Sequence, residues 1–127
     1  MPRDPIKSPR DDRVRVQHML EAARDVVLLS AHRARDDLRT DMLLRRAMVN
    51  AIQEIGEAAA KVSPVGRTRV AGIPWPAVVR MRNRLVHGYD EIDFDIVWKV
   101  ATEEAPALIV VLEAAFVGWP LPEAPSE

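Results

Sequence analysis

The chain has no cysteine. That excludes a disulfide, a thiolate zinc site and a cysteine nucleophile, and it agrees with a reducing compartment. No apolar run reaches the roughly 18 residues that a membrane-spanning helix needs. The opening Met1-Pro2-Arg3-Asp4-Pro5 lacks the apolar core of a signal peptide. The expectation is a cytoplasmic protein with no membrane partner. Formal net charge is −1, so no overall basic field points to nucleic acid, and any such binding depends on a local basic patch. No alternating apolar run bounded by turn residues argues for a sheet, and no internal repeat argues for a solenoid. A Gly-Ser followed by an Asp-x-Asp pair, which would hold metal and ATP in a nucleotidyltransferase, is absent too. No convincing cluster of metal ligands appears, and no cofactor is expected.

What remains reads as one helical domain. With 127 residues the chain can bury a single core, and 48% hydrophobic against 29% charged residues is ordinary for a soluble globular protein. Residues 1–11 carry three prolines and five charges and read as a disordered tail. Residues 119–127, with three more prolines, read as a second tail, leaving a folded domain over 12–118. Val16, Met19, Leu20, Ala23, Val26 and Val27 recur at helical spacing and predict a helix over 12–34, with His18 near the edge of its apolar stripe as a packing residue rather than a ligand. Leu44, Met48, Ala51, Ile52, Ile55, Ala58, Ala59 and Val62 mark a second helix over 41–62, capped by Thr40 or Asp41 and stopped by Ser63-Pro64. Gly56 costs that helix roughly 1 kcal/mol against alanine, which points to close helix packing or a nearby substrate.

Residues 63–74, with Pro64, Gly66, Gly72 and Pro74, read as a loop. Its Arg67 and Arg69 either reach a phosphate backbone or are solvated. Ile73-Pro74-Trp75-Pro76 opens the next helix, with proline where a missing N–H costs little. Asp93 is a good N-cap for a last long helix, which Pro106 must kink or divide. The expected architecture is all-α: an antiparallel bundle of four to five helices.

Chemistry concentrates in Arg80-Met81-Arg82-Asn83-Arg84-Leu85-Val86-His87-Gly88-Tyr89-Asp90. If the helix runs on to Gly88, Asn83 and His87 share a face one turn apart, and Gly88 ends it at positive φ. Arg82 and His87 are then about 140° apart around the axis, lining one cleft rather than one stripe. A permanent cation, a group titrating near neutral pH and a phenol suit work on a phosphodiester. A basic helix end with histidine in its last turn is equally a plain complement to the helix dipole. Glu54 and Glu57 either face the same cleft as Arg82 or are solvated carboxylates on an outer face.

Taken in order, Ile52-Gln53-Glu54-Ile55-Gly56-Glu57-Ala58-Ala59, Ile73-Pro74-Trp75, Met81 through Tyr89, Asp93 and Val97-Trp98 closely resemble the HepT-like branch of the HEPN superfamily. The resemblance runs from about Asp12 to Phe116. Its central motif is an arginine, four residues, a histidine, one residue and a tyrosine, here Arg82, His87 and Tyr89, with the usual asparagine as Asn83. Glu54 stands where some relatives are less acidic.

The resemblance implies a HEPN ribonuclease that acts as a homodimer, the toxin of a two-gene toxin–antitoxin pair. It further implies an antitoxin of the MntA type, a minimal nucleotidyltransferase that transfers AMP from ATP onto the motif tyrosine, here Tyr89. RNA can be cut without metal when its 2′-hydroxyl attacks the adjacent phosphate; that needs a base, charge stabilisation and a proton for the leaving oxygen. His87 suits base or acid, Arg82 the phosphate oxygens, and Asn83 the orientation of His87 or a further donation to phosphate. Arg84, Glu54 and Glu57 are candidate cleft or substrate contacts. Two other readings stand beside this one: a non-catalytic module that grips a nucleotide or a partner protein, and a structural partner that only regulates a nucleotidyltransferase.

Overall fold

The computed structural model describes residues 9–86 and 91–119. Its helices are α1 (Pro9–Ser30), α2 (Asp37–Thr40), α3 (Met42–Ala60), α4 (Pro64–Arg69), α5 (Trp75–Arg84), α6 (Phe94–Lys99) and α7 (Ala105–Val117), with a π-helical turn over Val100–Glu104 between the last two. The protein is all-α. Among the described residues there is no strand, only an isolated antiparallel bridge between Val86 and Ile92.

Four long rods make the bundle: α1, α3, α5 and the run from α6 through the π turn to α7. The main packings are α1 on α3, α3 on α5 and α1 on α7. Side-chain contacts fix the directions. Asp12 at the start of α1 reaches Ser63, just past the end of α3. Arg13 reaches the Trp119 carbonyl, while Arg24 pairs with Glu113. Both neighbours of α1 therefore run antiparallel to it. The core between the rods is built from Val16, Met19, Met48, Ile52, Ile55, Met81, Leu85, Val97 and Leu112, all essentially inaccessible to solvent. Each such burial stabilises the fold by about 1.5–3 kcal/mol before chain entropy is counted.

Caps read from the sequence hold. Asp41 accepts the Leu44 N–H at the start of α3, and Asp93 accepts the Ile96 N–H at the start of α6. The Leu44 N–H first, then the Arg33 side chain, hold the Asp41 carboxyl below its ordinary 3.8. This cap therefore contributes stability above that pH and loses it as pH falls through the lowered pKa.

Several boundaries differ from expectation. Helix α1 spans Pro9–Ser30, not 12–34. Its end is closed by the Ser30 hydroxyl donating to the Val27 carbonyl and by His32 at φ 61°, a left-handed residue that stops propagation without glycine. The expected loop over 63–74 contains α4. Ser63-Pro64 ends one helix and starts the next: Ser63 is the N-cap, its hydroxyl accepting the Gly66 N–H, and Pro64 sits in the first turn. Trp119, assigned to the tail by composition, is buried. The last helix is divided just before Pro106, as expected: the π turn over Val100–Glu104 separates α6 from α7, and Pro106 sits in the first turn of α7. The proline lacks the N–H that would reach Thr102, and the chain widens into the π turn just before it, where the Ala105 N–H bonds to Val100. Trp98 is half-buried and packed against the core. His18 is exposed rather than part of the packing.

Asp12 is 2% exposed, the one buried charged residue among those described. It accepts the Ser63 N–H at 2.8 Å and the Ser63 hydroxyl at 2.5 Å. Gly66 is close: a Cβ there would stand 2.7 Å from the Asp12 carboxyl carbon. Asp12 thus locks α1 onto the α3–α4 corner. An Asp12→Ala variant should lose about 1–2 kcal/mol in urea unfolding, because the part-buried Ser63 N–H and hydroxyl lose their charged acceptor.

Candidate active site

The site is organised by α5. Trp75, Val78 and Met81 turn inward, while Arg82 and Asn83 are exposed. Trp75 anchors the start of the helix, its indole N–H donating to the Arg67 and Val70 carbonyls. Gly56 sets the depth. A Cβ on Gly56 would lie 3.2 Å from both the Cβ and the backbone nitrogen of Arg82, and 3.3 Å from the Val78 carbonyl oxygen. The glycine therefore lets α5 lie against α3 with the Arg82 backbone on the contact. The close-packing reading of Gly56 holds, and the residue it admits is the motif arginine.

The expected helix through Gly88 stops earlier, at Arg84. Leu85 is fully buried, and its carbonyl accepts the Asp93 N–H at 2.8 Å. Val86 pairs with Ile92. His87, Gly88, Tyr89 and Asp90 lie outside the described residues; Val86 and Ile92, which flank them closely in sequence, meet across the bridge.

The arginines divide into committed and uncommitted. Arg84, a candidate substrate contact, forks onto Glu104 with bonds of 3.0 and 3.2 Å across 20 residues. Both side chains are about a third exposed or less. The pair ties α5 to the π turn. Arg67 donates to the Val62 and Ala59 carbonyls at the end of α3 and lies over the Trp75 ring. Arg69 donates to the Gly118 carbonyl and lies over Trp119. Both loop arginines are structural, an outcome the sequence left open. Arg82 is exposed and, among the described residues, has no hydrogen-bond or ion-pair partner. Its donors are available to a ligand.

Glu54 and Glu57 lie elsewhere. They line a groove of about 260 Å³ between α1 and α3, together with Arg15, His18, Glu21 and Asp25. No α5 residue lines it. Within one chain they do not share a cleft with Arg82. Among the described residues no three His, Asp or Glu side chains are gathered to hold a metal ion.

Sequence reading passed over Arg45-Arg46. These residues lie on α3 two to three turns before Gly56, and with Val49, Asn50, Gln53 and Ile92 they line a groove of about 450 Å³. The signal was present as adjacent arginines in an amphipathic helix. Only the return of the chain at Ile92 places them beside the ends of the motif segment.

The all-α bundle, with an uncommitted arginine packed at Gly56, agrees with the class to which the motif order pointed. A profile of the family "Ribonuclease HepT-like" matches residues 19–115, well over half of the chain. The chain belongs to the ribonuclease HepT-like family, and the expected enzyme class, ribonuclease, stands at the level of that family. It is 30% identical over 101 residues to "Putative RNase MJ1380" of Methanocaldococcus jannaschii, covering 80% of this chain and 93% of that protein. It is 27% identical over 103 residues to "Putative RNase TTE0752" of Caldanaerobacter subterraneus subsp. tengcongensis, covering 81% and 89%. To "Probable ribonuclease HepT" of Thermococcus cleftensis it is 32% identical over 73 residues, covering 58% and 66%. No solved structure matches the chain significantly. No described helix is long and apolar enough to cross a membrane.

Proposed function

We propose that this protein is the toxin of a type VII-like toxin–antitoxin pair, a cytoplasmic, metal-independent endoribonuclease acting on tRNA or mRNA as a homodimer. The observation that carries the reading is Arg82: an exposed guanidinium without a partner among the described residues, held in position by its backbone contact with Gly56. Family membership supplies the reaction class.

In the proposed reaction the RNA 2′-hydroxyl gives its proton to one His87 and attacks the adjacent phosphorus. The bond from phosphorus to O2′ forms and the bond to O5′ breaks, leaving a cyclic phosphate. The His87 of a second copy protonates O5′, so one imidazole serves as base and one as acid. Arg82 holds the phosphate oxygens through paired N–H donors as charge builds on them. Asn83 orients His87 or donates to the phosphate. Silencing follows when the Tyr89 phenol oxygen attacks the α-phosphorus of ATP on an MntA-like partner. Pyrophosphate leaves, the phenol proton goes to solvent, and the attached AMP fills the cleft with bulk and negative charge.

The test is induced expression of the wild type beside His87→Ala, with total RNA from each culture run on a gel. The expected result is growth arrest and shortened RNA for the wild type alone. Arrest by both proteins, with intact RNA, would replace this reading with that of a binding module.

A further inference from the structure

A groove on the first half of α3 is lined by cations and amides. Two guanidiniums and two amides line it, with Val49 and Ile92 as apolar floor. No carboxylate lines it. Arg45 is pinned, donating to the Leu38 and Arg39 carbonyls at 3.0 and 3.2 Å, and neither it nor Arg46 has an ion-pair partner among the described residues. Arg46 is exposed and makes no hydrogen bond there. Asn50 gives its amide N–H to Glu54 at 3.0 Å, which leaves its carbonyl as an acceptor.

Position adds to composition. Residues 46, 49, 53 and 56 follow one another at helical spacing, so Arg46 and Gln53 share the flank of α3 on which Arg82 packs at Gly56. Helix rise places residue 46 about 15 Å along the axis from Gly56. One extended single strand lying along this flank can therefore meet both Arg82 and Arg46. The groove volume of about 450 Å³ lies within the usual ~300–1,000 Å³ of small-ligand clefts.

We infer that this groove is a substrate subsite: Arg46 binds an RNA phosphate flanking the scissile one, Arg45 adds a fixed positive field, and the Gln53 and Asn50 amides meet the edge of an unpaired base. The occupant is single-stranded RNA. Uncompensated cations match its phosphates, and side-chain amides match base edges that only unpaired nucleotides expose. The inference rests on the ribonuclease reading of the Arg82 site and names how that site holds its substrate.

The test measures binding of a fluorescein-labelled, fully 2′-O-methylated RNA oligonucleotide of about ten residues, which lacks the attacking hydroxyl and is not cut. Wild type, Arg46→Ala and Arg46→Lys are titrated at several salt concentrations, with the oligomeric state of each followed by light scattering. Arg46→Ala should bind about tenfold more weakly, with the salt slope shallower by about 0.7, and Arg46→Lys should keep the slope. In cleavage of ordinary RNA, Arg46→Ala should raise KM with kcat nearly unchanged. Unchanged affinity would overturn the inference, as would a loss of affinity that travels with a change in oligomeric state, which would make Arg46 a contact between copies. If the wild type binds the oligonucleotide through Arg46 but cuts no RNA, the ribonuclease reading falls and the groove is an RNA-binding surface rather than a substrate subsite.

Discussion

Replacement of Arg82 by alanine should lower kcat/KM for RNA cleavage by about 10²–10³, the usual loss when one preorganised donor to a transition-state oxyanion is removed. Folding stability should move by no more than about 0.5 kcal/mol, because the side chain is exposed and has no partner to abandon among the described residues. Lysine should restore only part of the rate. Its ammonium supplies a point charge, whereas two phosphate oxygens moving to equatorial positions are matched by a planar fork. The measurement is initial cleavage rate beside a thermal melt of the same preparation. Cleavage that survives in a folded Arg82→Ala protein would take phosphate binding away from this residue.

The second large effect is expected at Gly56, from which no side chain can reach the chemistry. Gly56→Val should destabilise the protein by about 1–3 kcal/mol through crowding. Its Cβ would meet the Arg82 backbone nitrogen at 3.2 Å and the Val78 carbonyl oxygen at 3.3 Å, and backbone atoms cannot rotate away as a flexible side chain can. To relieve the contact, α5 must move off α3, carrying Arg82 with it. A displacement of about 1 Å at a positioning group costs on the order of 10²-fold in rate. Gly56→Ala separates the two consequences. Its helix propensity gain of about 1 kcal/mol offsets much of the crowding, so stability should change little while the rate still falls. Urea unfolding and cleavage assays at a temperature where all three proteins are folded would decide. Unchanged cleavage by Gly56→Val would mean that the Arg82 position does not depend on this contact.

The features that frame the site were legible where their signals are local. Asp93 was identified as a cap from position alone and Asp41 as one of two candidates with Thr40, since a cap is satisfied within three residues of itself. Gly56 was marked by its cost in a helix interior, and the structure supplied the atom it makes room for. The end of α5 was misplaced for the opposite reason. Gly88 carries a local stop signal, but the helix is closed earlier by Asp93, eight residues beyond Leu85, donating to the Leu85 carbonyl. Likewise Ser63-Pro64 reads as a stop when only the preceding helix is in view, yet the same pair is an N-cap and first-turn proline for α4.

By itself the sequence determined the all-α class, the caps and the ordered motifs by which the family is recognised. These depend on helical period, on side chains reaching backbone groups a turn away, and on residue order along the chain. Tertiary structure alone decided which arginines remain available. Arg67 and Arg69 are taken by carbonyls and indole rings, and Arg84 by Glu104, while Arg46 and Arg82 are left exposed on one flank of α3. It also decided that Glu54 and Glu57 face α1 rather than Arg82. A guanidinium reaches partners from any element packed within several ångströms, and no spacing in the sequence records which elements those are.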